Sequence, residues 1–317
     1  MGEKATDMSD VFWVDGRRMF FDNTVTHKIR RLVDAADGTR SLSEGMRVAL
    51  KVNTAEEGYE YGLRPGFIRT LSDVAQAATR KRPVVCDGHR LVDYWKRAGG
   101  NAFLETTSRT GYSSETLGGH FVINGGFSGN EGDLFSCGED SELGGVEVGT
   151  AICRSDALWV LAHVTLNPLF GLGGALYNGG FDCLSARAKT RVLAGMNPYL
   201  FNGQRPAADD LRKFRRRALE SHVAVRTAME GRVFYIDFLW DVTPQPAYYP
   251  FSEIPLLENM GFMASFDPVA LDAAAFDMIQ ARAADAPRIG ATAFEEVIAD
   301  AARMGIGTKG ATLNRFS

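Results

Sequence analysis

The segment from His163 to Lys189 contains the residue types that a polar binding site needs. It reads HVTLNPLFGLGGALYNGGFDCLSARAK, an apolar strand followed by a glycine-rich loop and a basic helix start. In sheets of parallel strands, this arrangement brings polar groups together at the carboxyl ends of the strands. His163 lies near the end of the predicted strand, where an imidazole can act as an acid, a base or a metal ligand. A hydrogen-bonded core histidine is the alternative.

The loop from Gly171 to Gly180 carries several glycines, which let backbone amides approach a ligand closely. Its spacing matches neither the dinucleotide GxGxxG fingerprint nor a P-loop. Two bases on the following helix start would add positive charge, so we expect an anionic group or a cofactor to bind here. A tight structural turn is the alternative. The residues of this segment that we expect to bind the ligand are Gly173, Gly174, Asn178, Arg187 and Lys189.

Cys183 is a candidate catalytic nucleophile or metal ligand. It follows Asp182 and lies close in sequence to Arg187 and Lys189, whose positive charges could lower the pKa of its thiol. A small, half-buried residue without a chemical role is the alternative.

Polar residues also follow two strands nearer the start of the chain. The apolar run 46–52 contains Lys51 near its end and is followed by Asn53. The strand 82–86 is followed by Asp87. Helices separate these strands, which implies parallel strands whose carboxyl ends share one edge of the sheet. We therefore expect Lys51 and Asn53 to bind a polar ligand, and Asp87 is a candidate catalytic acid.

The same alternation predicts an α/β fold with a mainly parallel sheet and helices on both faces. Strands predicted over 146–152, 158–166 and 233–239, and helices predicted over 91–98 and 209–229, continue the pattern. Another helix begins at Asp267, an aspartate cap followed by proline. No convincing linker divides the 317 residues, so we predict a single large domain, 1–317, formed as one body or as two lobes.

Composition narrows the range of partners. A formal net charge of −4 argues against general nucleic-acid binding, and the bases of helix 209–229 fit a solvated face. The apolar run 157–176 is interrupted by His163, Asn167, Pro168 and glycines, so it predicts a buried strand and loop and not a membrane span. We expect a small-molecule substrate, with neither nucleic acid nor membrane as a partner.

The four cysteines show no CxxC or CxC pair, which leaves no zinc-finger or ferredoxin motif. The first residues, MGEKATDMSD, lack the apolar core of a signal peptide. We therefore expect reduced thiols and a cytoplasmic location. The glycine- and acid-rich segment 125–145 is predicted to be a solvated loop or lid, with a metal or substrate role as the alternative.

The order of these motifs resembles the DUF362 family, α/β proteins named for lacking an assigned function and often associated with iron–sulfur ferredoxin segments. The matching pieces are ALKVN at 49–53, VVCDG at 84–88, LAHVTLNPLFGLGGALYN at 161–178, DCLSARAK at 182–189 and ASFDPVALDAAAFDMI at 264–279. The resemblance implies that the family keeps polar groups at Lys51, Asn53, His163, Asn178, Arg187, Lys189, Asp267 and Asp272. We therefore add Asp267 and Asp272 to the expected ligand-binding residues.

The chain also departs from that family. Relatives commonly carry a cysteine-rich insert, whereas segment 190–231 here is a predicted helical segment and no cysteine follows Cys183. Residues 245–249, QPAYY, replace an expected pair of cysteines, and Ala162 and Tyr177 replace a threonine and a lysine that many relatives have. These departures from the family imply that no iron–sulfur cluster is bound in the family's manner. Any electrons would then come from a separate donor, or the reaction is not a net reduction.

These observations predict a cytoplasmic enzyme that acts on a small polar or anionic metabolite. Redox- or metal-linked chemistry is favoured, and a divalent metal is a candidate cofactor. The sequence does not determine which residues would bind that metal. A non-catalytic metal or cofactor carrier, or maturation factor, is one alternative. A partner subunit whose ancestral site has decayed is another.

Overall fold

The computed structural model of the protein describes residues 8–17, 20–89, 99–196, 205–282 and 291–316. Its strands, in chain order, are β1 (Met8–Val14), β2 (Val48–Lys51), β3 (Val84–Gly88), β4 (His120–Asn124), β5 (Gly132–Ser136), β6 (Gly145–Gly149), β7 (Ala157–His163), β8 (Leu166–Asn167), β9 (Gly171–Leu172), β10 (Val233–Leu239), β11 (Gly261–Ser265) and β12 (Gly310–Phe316).

The helices within the described ranges are α1 (Val25–Ala35), α2 (Pro65–Thr79), α3 (Gly100–Arg109), α4 (Ser114–Leu117), α5 (Thr150–Cys153), α6 (Ala175–Asn178), α7 (Ala186–Val192), α8 (Ala208–Ala228), α9 (Pro268–Arg282) and α10 (Ala291–Arg303). A 3₁₀ turn, Phe181–Cys183, lies between α6 and α7. The predicted helix over 91–98 falls outside the described residues.

Eight strands form the main sheet, in the order β12-β1-β11-β10-β7-β2-β3-β4. In this sheet β11 alone runs against the others, because it pairs antiparallel with both β10 and β1. The remaining neighbours are parallel. The prediction of a mainly parallel sheet is confirmed, and the carboxyl ends of β10, β7, β2, β3 and β4 share one edge.

Helices cover both faces of this sheet, as predicted. All seven residues of β7 are buried, because alternate side chains of a strand point to opposite faces and each face here has its own core. Trp159 and Leu161 pack with residues of α1 and α2 on one face. Leu158 and Val160 pack with residues of α8 and α9 on the other.

Helix α8 buries one side and leaves its bases outside, as its residue spacing predicts. Phe214 and His222 are buried, whereas Arg212, Lys213 and Arg216 are exposed. No helix in the described ranges combines the length and apolar character that crossing a membrane requires.

Two local predictions were wrong and one element was missed. Part of segment 125–145 is not a loop, since β5 pairs antiparallel with β6. The run 146–152 is not one strand, because β6 ends at Gly149 and α5 follows. Strand β12 was not predicted, since it buries no side chain fully and its parallel partner β1 lies at the other end of the chain.

Candidate functional site

Two lysines and two aspartates form a buried ion cluster at the carboxyl ends of β2 and β3. Lys51 Nζ lies 3.2 Å from Asp182 Oδ2 and 3.6 Å from Asp87 Oδ1. Lys189 Nζ lies 3.8 Å from Asp182 Oδ1. All four side chains are at most 2% exposed. Charges buried this deeply persist only when paired, and within the described part of the chain the cluster sets two positive charges against two negative ones.

Asp87, a predicted catalytic acid, is held in this cluster by hydrogen bonds. Its Oδ2 accepts from the backbone N and the hydroxyl of Thr54, at 2.9 and 2.7 Å. Its Oδ1 accepts from Gly88 N at 2.8 Å. The structure therefore places Asp87 beside Lys51, where it fixes the lysine, and not in the lining of the adjoining cavity.

A small cavity of about 20 Å³ adjoins the ion cluster, with space on the order of one water molecule. Most of its lining comes from the end of β7, the loop before α6, α6 itself and the 3₁₀ turn. Asn53 and the segment 246–248 complete the lining. The predicted ligand-binding residues that line it are Asn53, Gly173 and Asn178, and the predicted catalytic residue is His163.

His163 is a neutral imidazole, and one of its two ring nitrogens carries no proton. Its Nε2 lies 2.9 Å from Trp240 O and 3.2 Å from Asp241 O. Both partners are carbonyls, so Nε2 carries the hydrogen and donates it. Burial lowers the pKa of His163, which keeps the ring neutral. Its Nδ1 is buried and has no hydrogen-bond partner within the described residues, so its lone pair remains available.

Two asparagines of the cavity have one amide atom engaged and the other not. Asn53 Nδ2 donates to Asp182 Oδ2 at 3.1 Å, which leaves its Oδ1 as the acceptor without a partner. Asn167 Oδ1 accepts from the backbone N of Leu169 and of Phe170, at 3.0 and 3.1 Å, which leaves its Nδ2 as the donor. Both remaining atoms are buried without a partner in the part of the chain described.

Helix α6 and the loop before it are held by buried polar contacts. Asp272 accepts from the backbone N of Ala175 and of Leu176, at 2.7 and 2.9 Å. Asn178 Nδ2 donates to Gly174 O at 2.9 Å, and its Oδ1 accepts from Lys51 Nζ at 3.1 Å. Asp272 therefore positions the loop without lining the cavity, whereas Asn178 both positions α6 and lines the cavity.

A second histidine supports the same helix. His222, on α8, has Nδ1 3.1 Å from Leu176 O and Nε2 2.8 Å from the Tyr235 hydroxyl. Nδ1 therefore donates to the carbonyl, and Nε2 accepts from the hydroxyl. Burial lowers the pKa of His222 to about 4, so it acts as a neutral hydrogen-bonding group.

Asp237 on β10 forms a carboxyl pair with Asp272. Burial, and next the charge of Asp272, raises the pKa of Asp237 well above its ordinary value. Burial also raises the pKa of Asp272, but hydrogen bonds, two of them from backbone N–H groups, stabilise its anion. Two carboxyl groups can hydrogen bond to each other only if one keeps its proton. We place that proton on Asp237, because Asp272 already accepts hydrogen bonds from the backbone N–H groups of Ala175 and Leu176, which stabilise its anion.

This pair makes stability depend on pH. Because folding raises both pKa values, the stabilisation is present at low pH and is lost as pH rises through the folded-state values. Asp237→Asn carries a permanent donor and cannot lose that proton. Above about pH 5, where a carboxyl group of the unfolded chain is ionised, its free energy of unfolding should fall less steeply with pH than that of the wild type, by up to about 1.4 kcal/mol per pH unit. Urea unfolding across this range measures the slopes.

The matched control for that measurement is Asp277→Asn, at an exposed position of α9. We expect its slope to equal that of the wild type. Equal slopes for Asp237→Asn and the wild type would contradict the shared proton.

Three other predicted site residues do not line the cavity. Cys183 is fully buried and its Sγ donates to Asn178 O at 3.1 Å. Burial raises the pKa of this thiol to about 12, which opposes formation of a nucleophilic thiolate. Arg187 is exposed and pairs with Glu147 at 3.8 Å. Lys189 belongs to the ion cluster, where its charge is balanced.

Asp267 lies at the opposite edge of the sheet. Ser265, at the end of β11, pairs with Tyr235 near the start of β10, and Asp267 follows it. Its Oδ1 accepts from the backbone N of Val269 and of Ala270, at 2.9 and 3.0 Å, and so caps α9. The cap predicted from the sequence is therefore present, but Asp267 does not join the other predicted ligand-binding residues.

Sequence reasoning did not select three residues that the structure brings to the site or beneath it. Asp182 was treated only as a neighbour of Cys183, and Asn167 only as an interruption of an apolar run. Asp237 stands alone in the apolar strand VFYIDFL, and a buried acid in such a strand was a usable signal. The positions of Asp182 and Asn167 next to the glycine loop gave a weaker one.

The cavity does not fit a divalent metal held by protein ligands alone. Within the described ranges, no group of three or more His, Cys, Asp or Glu side chains is arranged to hold a metal ion. Among the described residues, the cavity lining offers only His163 and Asp182 of these types, and Asp182 is engaged with two lysines.

Comparison with known proteins identifies a family but no activity. The family described as "Domain of unknown function (DUF362)" matches residues 48–277. A search of curated proteins finds no match. Among solved structures, the lactate racemase apoprotein from Thermoanaerobacterium thermosaccharolyticum is 13% identical with a TM-score of 0.38, covering 66% of this chain and 48% of that one.

A Thermotoga maritima protein solved by structural genomics is 10% identical with a TM-score of 0.36. The match covers 90% of this chain and 61% of that one. This chain thus spans about half to three fifths of the length of these two solved proteins. At this level of similarity, neither structure informs the chemistry of the cavity.

Proposed function

The chain belongs to the DUF362 family, and from the geometry of its cavity we propose that it is an enzyme that acts on a small polar metabolite by proton transfer. His163 Nδ1 is the proposed base. The proton it takes would come from an O–H, N–H or C–H group of the substrate. Asn53 and Asn167 would orient that group by hydrogen bonds.

One observation carries the proposal. His163 Nδ1, Asn53 Oδ1 and Asn167 Nδ2 are buried without partners in the described part of the chain, and their three residues line one cavity. A buried polar group without a partner costs roughly 1–3 kcal/mol, so three around one cavity indicate a site built for a ligand that supplies the missing hydrogen bonds. Unsatisfied polar groups of this kind are uncommon in folded proteins.

The neutral state of His163 suits it to act as a base. A general base must be unprotonated near neutral pH and within reach of the proton that it accepts. Burial lowers the pKa of His163, and its Nε2–H bonds to Trp240 and Asp241 fix the ring. If the chemistry also transfers electrons, a separate donor would have to supply them, because the four cysteines do not form paired cluster motifs.

His163→Gln tests the proposal. The glutamine amide can still donate to the Trp240 and Asp241 carbonyls, but it lacks the basic Nδ1. Purified protein is incubated with a metabolite extract, and mass spectrometry follows which small metabolites are consumed. We expect the wild type to consume at least one polar metabolite and His163→Gln to do so roughly 100-fold or more slowly.

His120→Gln, at an exposed position of β4, is the matched control and should behave as the wild type does. The proposal fails if the wild type consumes nothing. It also fails if His163→Gln is as fast as His120→Gln.

A further inference from the structure

The hydrogen-bonding roles of the cavity atoms are determined by their partners. His163 Nε2 faces two carbonyls, so its Nδ1 can only accept. Asn53 Nδ2 faces a carboxylate, so its remaining atom is an oxygen that accepts. Asn167 Oδ1 faces two backbone N–H groups, so its remaining atom is a nitrogen that donates. These three residues therefore offer two acceptors and one donor of fixed type.

Among the described residues, the charges around the cavity leave no excess positive charge for an anion. Within those ranges no lysine or arginine lines it, and the carboxylate that does, Asp182, is paired with Lys51 and Lys189 of the buried ion cluster. Lys51 and Lys189 are each held close to a carboxylate of that cluster. A carboxylate ligand would therefore bring a second negative charge beside Asp182, in a buried setting where unbalanced charge is costly.

We propose that the group bound in this cavity is uncharged and combines two hydrogen-bond donors with one carbonyl acceptor. Its donors face Asn53 Oδ1 and His163 Nδ1, and its carbonyl faces Asn167 Nδ2. A water molecule has the same pattern of two donors and one acceptor and fits the cavity as it stands, and a primary carboxamide is the smallest carbonyl-containing group that meets all three requirements. The inference rests on the proposed function only in taking this cavity as the substrate site, and it replaces the anionic ligand expected from the sequence.

The size of the cavity limits how a ligand enters it. A volume of about 20 Å³ holds on the order of one water molecule, so a carboxamide requires the lining to move. Pro246, Ala247 and Tyr248 belong to a segment without regular structure between β10 and β11. The backbone N of Glu56 donates a hydrogen bond to Ala247 O at 3.1 Å, which connects this segment to the residues that follow β2. In this proposal a carboxamide enters by displacement of this segment.

Paired probes that differ in charge but hardly in shape test the inference. Formamide and acetamide are compared with formate and acetate by saturation-transfer NMR on the intact chain. We expect the amides to bind the wild type and the acids to bind at least tenfold more weakly. Asn167→Asp keeps the oxygen that accepts from Leu169 and Phe170 but replaces the donor, so it should weaken amide binding about tenfold or more. Asn101→Asp, at an exposed position of α3, should leave binding unchanged.

Three outcomes overturn the inference: no binding of either amide, acids that bind as well as the amides, or equal amide affinity in Asn167→Asp and Asn101→Asp. The metabolite assay separates this failure from that of the proposed function. If metabolite consumption depends on His163 but the amides do not bind, the ligand class is wrong and the base is retained. If the amides bind but His163→Gln consumes metabolites normally, the base is wrong and the ligand class is retained.

Discussion

Lys51→Met is expected to lower the free energy of unfolding by about 3–5 kcal/mol. Lys51 is fully buried and has Asp87 and Asp182 within 3.6 Å of its Nζ. Methionine fills a similar volume but carries no charge, so the two carboxylates would share the single remaining cation, Lys189. Urea unfolding of the variant and the wild type at neutral pH gives the difference directly.

A second substitution shows whether charge is the cause. Asp182→Asn in the Lys51→Met background restores the balance between positive and negative groups, so the double variant should be more stable than the sum of the two single effects predicts, by at least about 1 kcal/mol. Lys213→Met, at an exposed position of α8, should stay within about 0.5 kcal/mol of the wild type. Additive single effects would show that the cluster is not coupled as its distances imply.

Gly174→Ala is expected to destabilise the protein by roughly 2–4 kcal/mol. A Cβ on Gly174 would lie 2.8 Å from Asp272 Cγ and closer still to Oδ1. The carboxylate would have to move away from the N–H groups of Ala175 and Leu176, to which it now bonds at 2.7 and 2.9 Å. Because α6 carries Tyr177 and part of the cavity lining, ligand binding should weaken as well. Thermal unfolding and the amide-binding measurement check both effects.

Gly66→Ala provides the comparison, because it adds the same methyl group near the start of α2, where nothing lies within 4 Å. Alanine is the better helix former, so this variant should match or exceed the wild type in stability. If the two alanine variants unfolded alike, the contact between Gly174 and Asp272 would not constrain the loop.

The amino-acid sequence by itself determined the central parallel strands of the sheet and the edge that carries the site. The run ALWVLAH of β7 is apolar up to His163, a pattern typical of a strand covered on both faces. Helices alternate with such strands, so Lys51, Asn53 and His163 had to fall at one shared edge. The pattern is local and repeats along the chain, which is why it could be recognised without a structure.

The polar partners across that edge were decided by the tertiary structure. Lys51 and Asp182 are 131 positions apart in the chain, and no local pattern shows that they lie within hydrogen-bonding distance. The sequence placed Arg187 and Lys189 together as anion-binding bases, yet α7 exposes the first and buries the second. The direction in which a short helix leaves a glycine loop depends on packing against β6 and α8, and therefore on residues distant in sequence.

For the segment His163–Lys189 too, the sequence determined one part and the tertiary structure decided the other. Its residue types identified a site, but the type of ligand depended on atoms of other segments. The carbonyls of Trp240 and Asp241 select which nitrogen of His163 is protonated, and Asp182 selects which amide atom of Asn53 remains unpaired. Hydrogen bonds of this kind form only after the chain has folded, because their direction is set by the relative positions of whole strands and loops.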